Sequence, residues 1–438
     1  MPKQTVEIPW KGNPLSISLP ENWELIGTLE PSPRAPVADS AAETERALNE
    51  PLGSPRLRDL VRPGARIALV IDDGSRPTPV ARLLPPVLAE LQLGGASLDQ
   101  ILVVPALGVH RKMADDEVAQ RLGGEWAARL RWEHHDCDDP ARLSDLGVTS
   151  RGTPVLINRS VAEADLIVSV GCIEPHIIAS FGGGYKNLIP GVAGRATIAH
   201  NHGLNCTPST FNMVGQPIER NPMRQDLEEG ARKLKAPVFI INAVLNSSLQ
   251  PVAVVAGDPI AAHRAGAKIS ASIYGVPVPD MADVLLSGSH PMDQDMRQGV
   301  KALANTVRAV RPGGSMLILM RADEGVGVFG LAEKGLPLKR GALKVLAPLL
   351  LPLVSKLKLK GVGEEDKFFL YFALQAMRRA DLMLYAPTIP ESVQPNLPFV
   401  TFMPDPQAAI QRARRRFPGK ARVLAAPHGG MTYPILPD

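Results

Sequence analysis

From Arg62 onward, short apolar runs alternate with segments of helical spacing. RIALVID (66–72) is almost continuously apolar and runs straight into the polar GSRPTP. VARLLPPVLAELQ (80–92) then reads as a helix, and QILVVPA (100–106) as the next strand, followed by LGVHRKM and a helix with acidic residues in its first turn. DLIVSVG (165–171) and PVFIINAVL (237–245) repeat the strand pattern. Apolar runs rich in β-branched residues mark strands buried on both faces of a parallel sheet. Their alternation with helices predicts an α/β fold whose N-terminal part is a mostly parallel, Rossmann-like sheet. A second set begins near residue 280, with strands at 282–289, 315–320, 381–386, 399–403 and 421–427 and helices over 292–310, around 364–379 and near 406–416. GVPVPD (275–280), rich in Gly and Pro, reads as a linker. The chain therefore divides near 278 into two α/β domains, 1–278 and 279–438, with a cleft between them.

Composition narrows the class. With 438 residues, 45% apolar and 21% charged, the chain is an ordinary globular protein of two or three domains' length. A net charge of +4 is only mildly basic, and the run Arg412, Arg414, Arg415, Arg416 reads as a solvated helix end rather than a nucleic-acid patch. Aromatics at 4% argue against base-stacking surfaces. Three scattered cysteines, Cys137, Cys172 and Cys206, fit neither a disulfide framework nor a zinc knuckle, and a reducing cytoplasm is the expectation. MPKQTVEIPW lacks the apolar core of a signal peptide. VLAPLLLPLV (345–354) falls short of the roughly 20 residues a membrane span needs and reads as a buried or capping segment.

Open α/β sheets bind ligands beyond the carboxyl ends of their strands. After the first strand come Asp72, Asp73, Ser75 and Arg76; after the second, Gly108, His110 and Arg111. Glu174 and His176 follow DLIVSVG, and His290, Asp293, Gln298 and Lys301 follow 282–289. Each also has a structural reading: Asp73 as a turn cap, Arg76 as a surface ion-pair partner, His110 as a satisfied loop histidine, His290 as a strand end. His134 and His135 are adjacent, so on a strand they face opposite ways, which favours a structural role over a metal site.

The segment GCIEPHIIASFGGGYKNLIPGVAGRATIAHNHG (171–203) concentrates chemistry: His176, Lys186, His200 and His202 lie among glycines. Gly182, Gly183 and Gly184 would let a backbone approach something closely, and Lys186 is not followed by Ser or Thr, which excludes the usual phosphate loop. His200 and His202 would share one face if extended, and imidazole ligates Zn, Cu, Fe or Ni.

DDGSRPTP, LGVH, EPH, FGGGYKN, TIAHNHG and PMDQDMRQGVKAL, in this order from about residue 60 to 305, resemble the lactate racemase family. The resemblance implies a covalently bound nickel pincer nucleotide, a pyridinium-3,5-bisthiocarboxylic acid mononucleotide, joined to Lys186 through a thioamide and supplied by cofactor-synthesis enzymes. It implies nickel ligation by His202 rather than His200, acid–base work by His110 and His176, and substrate contacts from Arg76, Gln298 and Lys301. Asp73 and Ser75 match a loop that binds the cofactor, with Gly182 to Gly184 beside it. The implied activity is racemisation or epimerisation of a 2-hydroxy acid by hydride transfer, with no nucleic-acid or membrane partner.

Two positions depart from the family pattern. Arg297, directly before Gln298, would add a second cation if it faced the site, and a hydroxy dicarboxylate or sugar acid would follow. Phe368 or Phe369 is the expected aromatic of the C-terminal domain. Other readings remain open: a nicotinamide dehydrogenase, which lacks its glycine fingerprint; a metal-dependent hydrolase or lyase using His176, His200 and His202; and a non-catalytic cofactor-binding homologue.

Overall fold

The computed structural model describes residues 4–327, 332, 335–336, 338–356 and 364–437. Its frame is two six-stranded sheets with helices packed on them. The first runs, edge to edge, Pro251–Gly257, Val238–Leu245, Leu166–Cys172, Ile67–Asp72, Ile101–Ala106, Arg131–Trp132, all parallel except the antiparallel edge strand Pro251–Gly257. Every residue of Ile67–Asp72 and Leu166–Cys172 is buried, as their unbroken apolar runs predict. The helix Val80–Leu93 covers this sheet with Val80, Leu83, Leu84, Val87, Leu88 and Leu91, one face at helical spacing.

From Ile67–Asp72 the chain moves outward to Ile101–Ala106 and Arg131–Trp132, then returns to pair Leu166–Cys172 on the other side. The order reverses between those two central strands. A crevice opens there beyond their carboxyl ends, which are the ends carrying Asp72–Arg76 and Glu174–His176.

The second sheet is wholly parallel: Thr401–Phe402, Ala380–Tyr385, Val310–Leu319, Ala282–Gly288, Ala421–Ala426, Trp23–Thr28. Its last strand comes from the chain's beginning, a stretch that sequence order places with the first domain. Trp23 is buried against the helix Pro406–Arg416 and its neighbours, so core burial rather than sequence distance decides the pairing. The expected linker is also structured: Gly275–Pro277 pairs in parallel with Tyr433–Ile435, which gives its backbone groups partners.

The expected helix over 292–310 begins only at Met296, because Asp295 caps it by accepting from the Gln298 amide at 2.7 Å. It continues as Lys301–Thr306. The segment 345–354 lies in the helix Arg340–Lys356. Leu343, Ala347, Leu351 and Val354 are buried, while Val345, Leu349 and Leu353 are exposed, so only one face meets the expectation of burial. No helix among the described residues is long and apolar enough to cross a membrane. Arg412 pairs with Asp381 at 2.9 Å, and Arg414 to Arg416 are exposed in the last turn of their helix.

Leu69 lies at the centre of the first sheet with no exposed surface. Leu69→Ala should cost about 2–5 kcal/mol in chemical denaturation, the range for a large-to-small change in a close-packed core.

Candidate active site

The crevice at the reversal point opens into a cavity that is partly open to solvent. Asp73, Arg76, His110, His176, Lys186 and His202 line it from the first sheet's loops, and Arg297, Gln298, Lys301 and Phe369 from the second sheet's side. Phe369, not the buried Phe368, is the aromatic that reaches it.

Glu174 is buried, 4% exposed, behind the lining residues Arg76 and Lys301. Arg76 Nη1 donates to its Oε1 at 2.5 Å, and Lys301 Nζ lies 3.6 Å from the same oxygen. Burial would raise the Glu174 carboxyl, but Lys301, Arg76 and Lys186 together carry it below the ordinary value. Beside it, burial drives the Lys186 amine down to about 7, with Arg76 adding repulsion and Glu174 opposing it. An amine half-neutral at physiological pH is a nucleophile, whereas an ordinary lysine is a solvated cation.

The two cavity histidines are held in different ways. His110 Nδ1 lies 2.6 Å from Asp73 Oδ2, so its proton sits on Nδ1 and its lone pair on Nε2. Asp73 also accepts from Ser75 Oγ at 2.7 Å. Burial alone would raise Asp73, but the hydrogen bond and charge of His110, with Arg76, carry it well below the carboxylate range. His110 itself is lowered by burial, which outweighs the opposing pull of Asp73. His176 Nδ1 accepts from the amides of Ile178 and Ala179, each at 3.2 Å, so neutral His176 carries its proton on Nε2. Burial, with the charges of Lys186, Arg76 and Lys301, holds it well below the ordinary imidazole value. One ring thus offers an acceptor and the other a donor.

His200 and His202 lie on the helix Arg195–Gly203, where residues two apart point to nearly opposite sides. The shared face expected of an extended chain is therefore absent. His202 lines the cavity and donates from Nδ1 to the Ile198 carbonyl at 2.8 Å, which puts its lone pair on Nε2. His200 turns instead to Thr153 Oγ1 at 2.8 Å, a hydroxyl that donates to Asp226. Among the described residues no three His, Cys, Asp or Glu side chains converge as metal ligands, so His176, His200 and His202 do not form one site.

Gly182, Gly183 and Gly184 do not line the cavity. A Cβ on Gly183 (φ +74°) would meet Ile173 at 2.6 Å and Asn242 at 2.7 Å, and one on Gly184 would meet the His263 ring at 3.1 Å. Their smallness serves packing behind the loop, a correction to the expectation that they admit a ligand. Ser75 lines a neighbouring cavity, where Asp73, His110, Arg297 and Gln298 reappear beside Arg111, Asp295 and Glu324.

Away from the cavity, His135 bonds the Ala193 carbonyl at 3.0 Å, His134 packs edge-on to Trp132, and His290 pairs with Asp293 at 3.0 Å. The three cysteines are free and buried. Residues that pattern reading missed include Arg121, which is hydrogen-bonded to Asp72, and Asn187, which donates to the Val170 carbonyl at 3.0 Å. Arg121 stands in no recognisable motif, and Asn187 closes FGGGYKN without a role that the motif assigns it.

Residues 11–212 match the family model described as the lactate racemase N-terminal domain. A lactate racemase of Thermoanaerobacterium thermosaccharolyticum is 30% identical over 329 residues, which cover 74% of this chain and 76% of that protein. One from Lactiplantibacillus plantarum is 31% identical over 288 residues, 65% of this chain and 67% of that protein. The solved structure of the Thermoanaerobacterium thermosaccharolyticum lactate racemase apoprotein superposes with a TM-score of 0.81 at 24% identity, covering 99% of this chain and 100% of that one, a likeness of fold.

The value of about 7 for Lys186 has a direct consequence. Acetic anhydride should label Lys186 faster than the chain's exposed lysines at pH 7 to 8, because its neutral fraction is already large there. Its advantage should shrink about tenfold per pH unit above that, as lysines with ordinary values near 10.4 deprotonate. Peptide mass spectrometry across pH 6 to 10 reads the ratio.

Proposed function

The chain belongs to the lactate racemase family, and we propose that it is a racemase or epimerase of 2-hydroxy acids that carries a nickel pincer nucleotide on Lys186. Membership makes it an isomerase. The observation that carries the finer reading is the setting of Lys186. A nucleophilic amine faces a cavity in which His202 presents an Nε2 lone pair, while His110 and His176 present an acceptor and a donor.

These residues fit the cofactor. An amine near neutrality can form a thioamide, and an imidazole whose Nδ1–H is anchored on a backbone carbonyl is oriented as metal-ligating histidines are. One protein ligand suffices where the other donors belong to the cofactor. Asp73 and Ser75 lie on the loop that would flank it. The chemistry the bound group supplies is reversible acceptance of the hydride from C2.

The chain's own residues do the rest. Arg76 and Lys301, gathered on Glu174, hold the substrate carboxylate. Gln298 Oε1 is buried with no hydrogen-bond partner among the described residues, an acceptor open to a donor group of the substrate other than the hydroxyl that reacts. His110 Nε2 takes the hydroxyl proton, and Asp73 stabilises the resulting imidazolium. His176 Nε2–H meets the oxygen when it lies on the other side. Racemisation requires the two rings to exchange roles: His176 must first take up a proton on Nδ1, releasing its two backbone contacts, before its Nε2 proton can pass to the oxygen, and His110 must give up the proton it accepted.

Arg297 lines both cavities, and its charge is felt at His110. This favours a substrate with a second anionic group, a hydroxy dicarboxylate or a sugar acid, over lactate.

Protein from a host that makes the cofactor should carry a nucleotide-sized adduct on Lys186 and about one nickel per chain, read by peptide mass spectrometry and metal analysis. An unmodified Lys186 without nickel sinks the covalent-cofactor reading. His110→Ala and Asp73→Asn should keep the adduct and lower the turnover number about 100-fold or more. A homologue that merely binds the cofactor would show no turnover to lose. Activity should fall on acidification once His110 protonates, below the ordinary imidazole value because burial lowers it. Arg297→Met should raise KM for hydroxy dicarboxylates about tenfold and leave lactate little changed; equal effects on both would remove the second-anion reading.

A further inference from the structure

The loop that delivers Lys186 is held from behind by side chains that do not line the cavity. Arg224, on the helix Pro222–Ala231, has no exposed surface. Its guanidinium engages backbone rather than carboxylate: Nη1 donates to the Gly183 carbonyl at 3.2 Å, Nε to Ala179 at 3.4 Å, and Nη2 to Phe181. His263, on the helix Ala261–Tyr274, donates from Nε2 to the Gly182 carbonyl at 2.9 Å and accepts from Arg264 on Nδ1. Asn205 and Asn221 donate to Ile178 at 2.8 Å and 2.7 Å, and the Gly215 amide meets Ser180 at 3.4 Å. Every carbonyl from 178 to 183 therefore has a donor.

Burying a cation is costly, and desolvation lowers the Arg224 guanidinium to about 10 although the charge of Glu228, itself paired with Arg264, opposes the shift. An apolar side chain would fill the volume at less cost. What the guanidinium adds is a rigid planar fork whose donors reach three carbonyls at once. Those carbonyls belong to a turn with Ser180 at φ +64° and Gly183 at φ +74°, in which the backbone supplies only part of the bonding: the Ala179 and Gly183 carbonyls accept from the Phe181 and Lys186 amides at 2.8 Å and 3.2 Å, and the fork of Arg224 ties both to the Phe181 carbonyl. Gly184 follows directly and opens the short turn Gly184–Asn187 that carries Lys186.

We propose that Arg224, assisted by His263, is the positioning residue of the lysine loop: its fork turns the carbonyls of 179–183 away from the cleft and so aims the Lys186 amine into it. The charge of Arg224 also falls on Lys186, on the same side as that of Arg76 and against Glu174 and Asp73. The functional weight of the proposal rests on Lys186 as the attachment point, but its geometry can be tested without the cofactor.

The test uses the full-length chain, free of cofactor, as Arg224→Met, Arg224→Lys and His263→Leu variants. Hydrogen exchange is followed across 178–188, with acetic anhydride labelling of Lys186 relative to the exposed lysines at pH 7. Arg224→Met should speed exchange at least tenfold in that loop while Val238–Leu245 stays protected, and relative labelling of Lys186 should fall at least tenfold. Arg224→Lys keeps the charge but not the fork, so it should resemble Arg224→Met. His263→Leu removes one contact and should give a smaller, equally local change, which keeps the test intact if Arg224→Met does not fold. Wild-type behaviour in folded Arg224→Lys, or exchange that rises equally across the whole chain, would overturn the proposal. A wild-type chain that never acquires an adduct would instead sink the attachment reading and leave this result standing.

Discussion

The site depends on a single buried carboxylate. Glu174 leaves the strand Leu166–Cys172 at the reversal point of the first sheet and gathers two cations, Arg76 from the neighbouring loop and Lys301 from a helix of the second sheet. A carboxylate at that depth is tolerable only with opposite charge beside it, and two cations so close are tolerable only with the carboxylate. The pairing therefore links the two sheets electrostatically at the place where their loops face one another. Neither half would hold its charge there alone.

The crowding has a chemical result. Burial is the larger force on the Lys186 amine, Arg76 adds repulsion, and Glu174, already engaged by Arg76 and Lys301, opposes them only in part, so Lys186 gives up its proton at about 7. Burial, reinforced by the same positive charges, keeps His176 neutral. A cleft built to receive anions thus also makes an amine nucleophilic and an imidazole a hydrogen-bond donor. The loop carrying Lys186 must then resist relaxing toward water, and the fork of Arg224 with its helper His263 supplies that resistance from the protein side.

The histidines illustrate how local backbone settles roles that residue type leaves open. His110 and His176 are alike in sequence terms, each following a strand of the first sheet. A carboxylate on Nδ1 makes one an acceptor toward the cavity, and two backbone amides on Nδ1 make the other a donor. His200 and His202 are separated even more simply, by a helix that turns them to opposite sides.

The sequence by itself determined the strand–helix alternation and the grouping of polar residues at strand ends, because both are periodic or local. Apolar runs such as 67–72 and 166–172 announce buried parallel strands; Asp73, Arg76, His110 and His176 follow such ends closely, and Lys186, Gln298 and Lys301 come in the connections after them. Tertiary structure alone decided what depends on distant partners. Trp23–Thr28 crosses to the second sheet because Trp23 finds its core there, and Gly275–Pro277 is a strand because Tyr433–Ile435 lies beside it. The glycines of 182–184 answer to Ile173, Asn242 and His263 rather than to a ligand. Arg224, 38 residues past Lys186 on an ordinary-looking helix, has no local signature at all. Its function comes from three carbonyls that the fold turns toward it, and no spacing along the chain encodes that meeting.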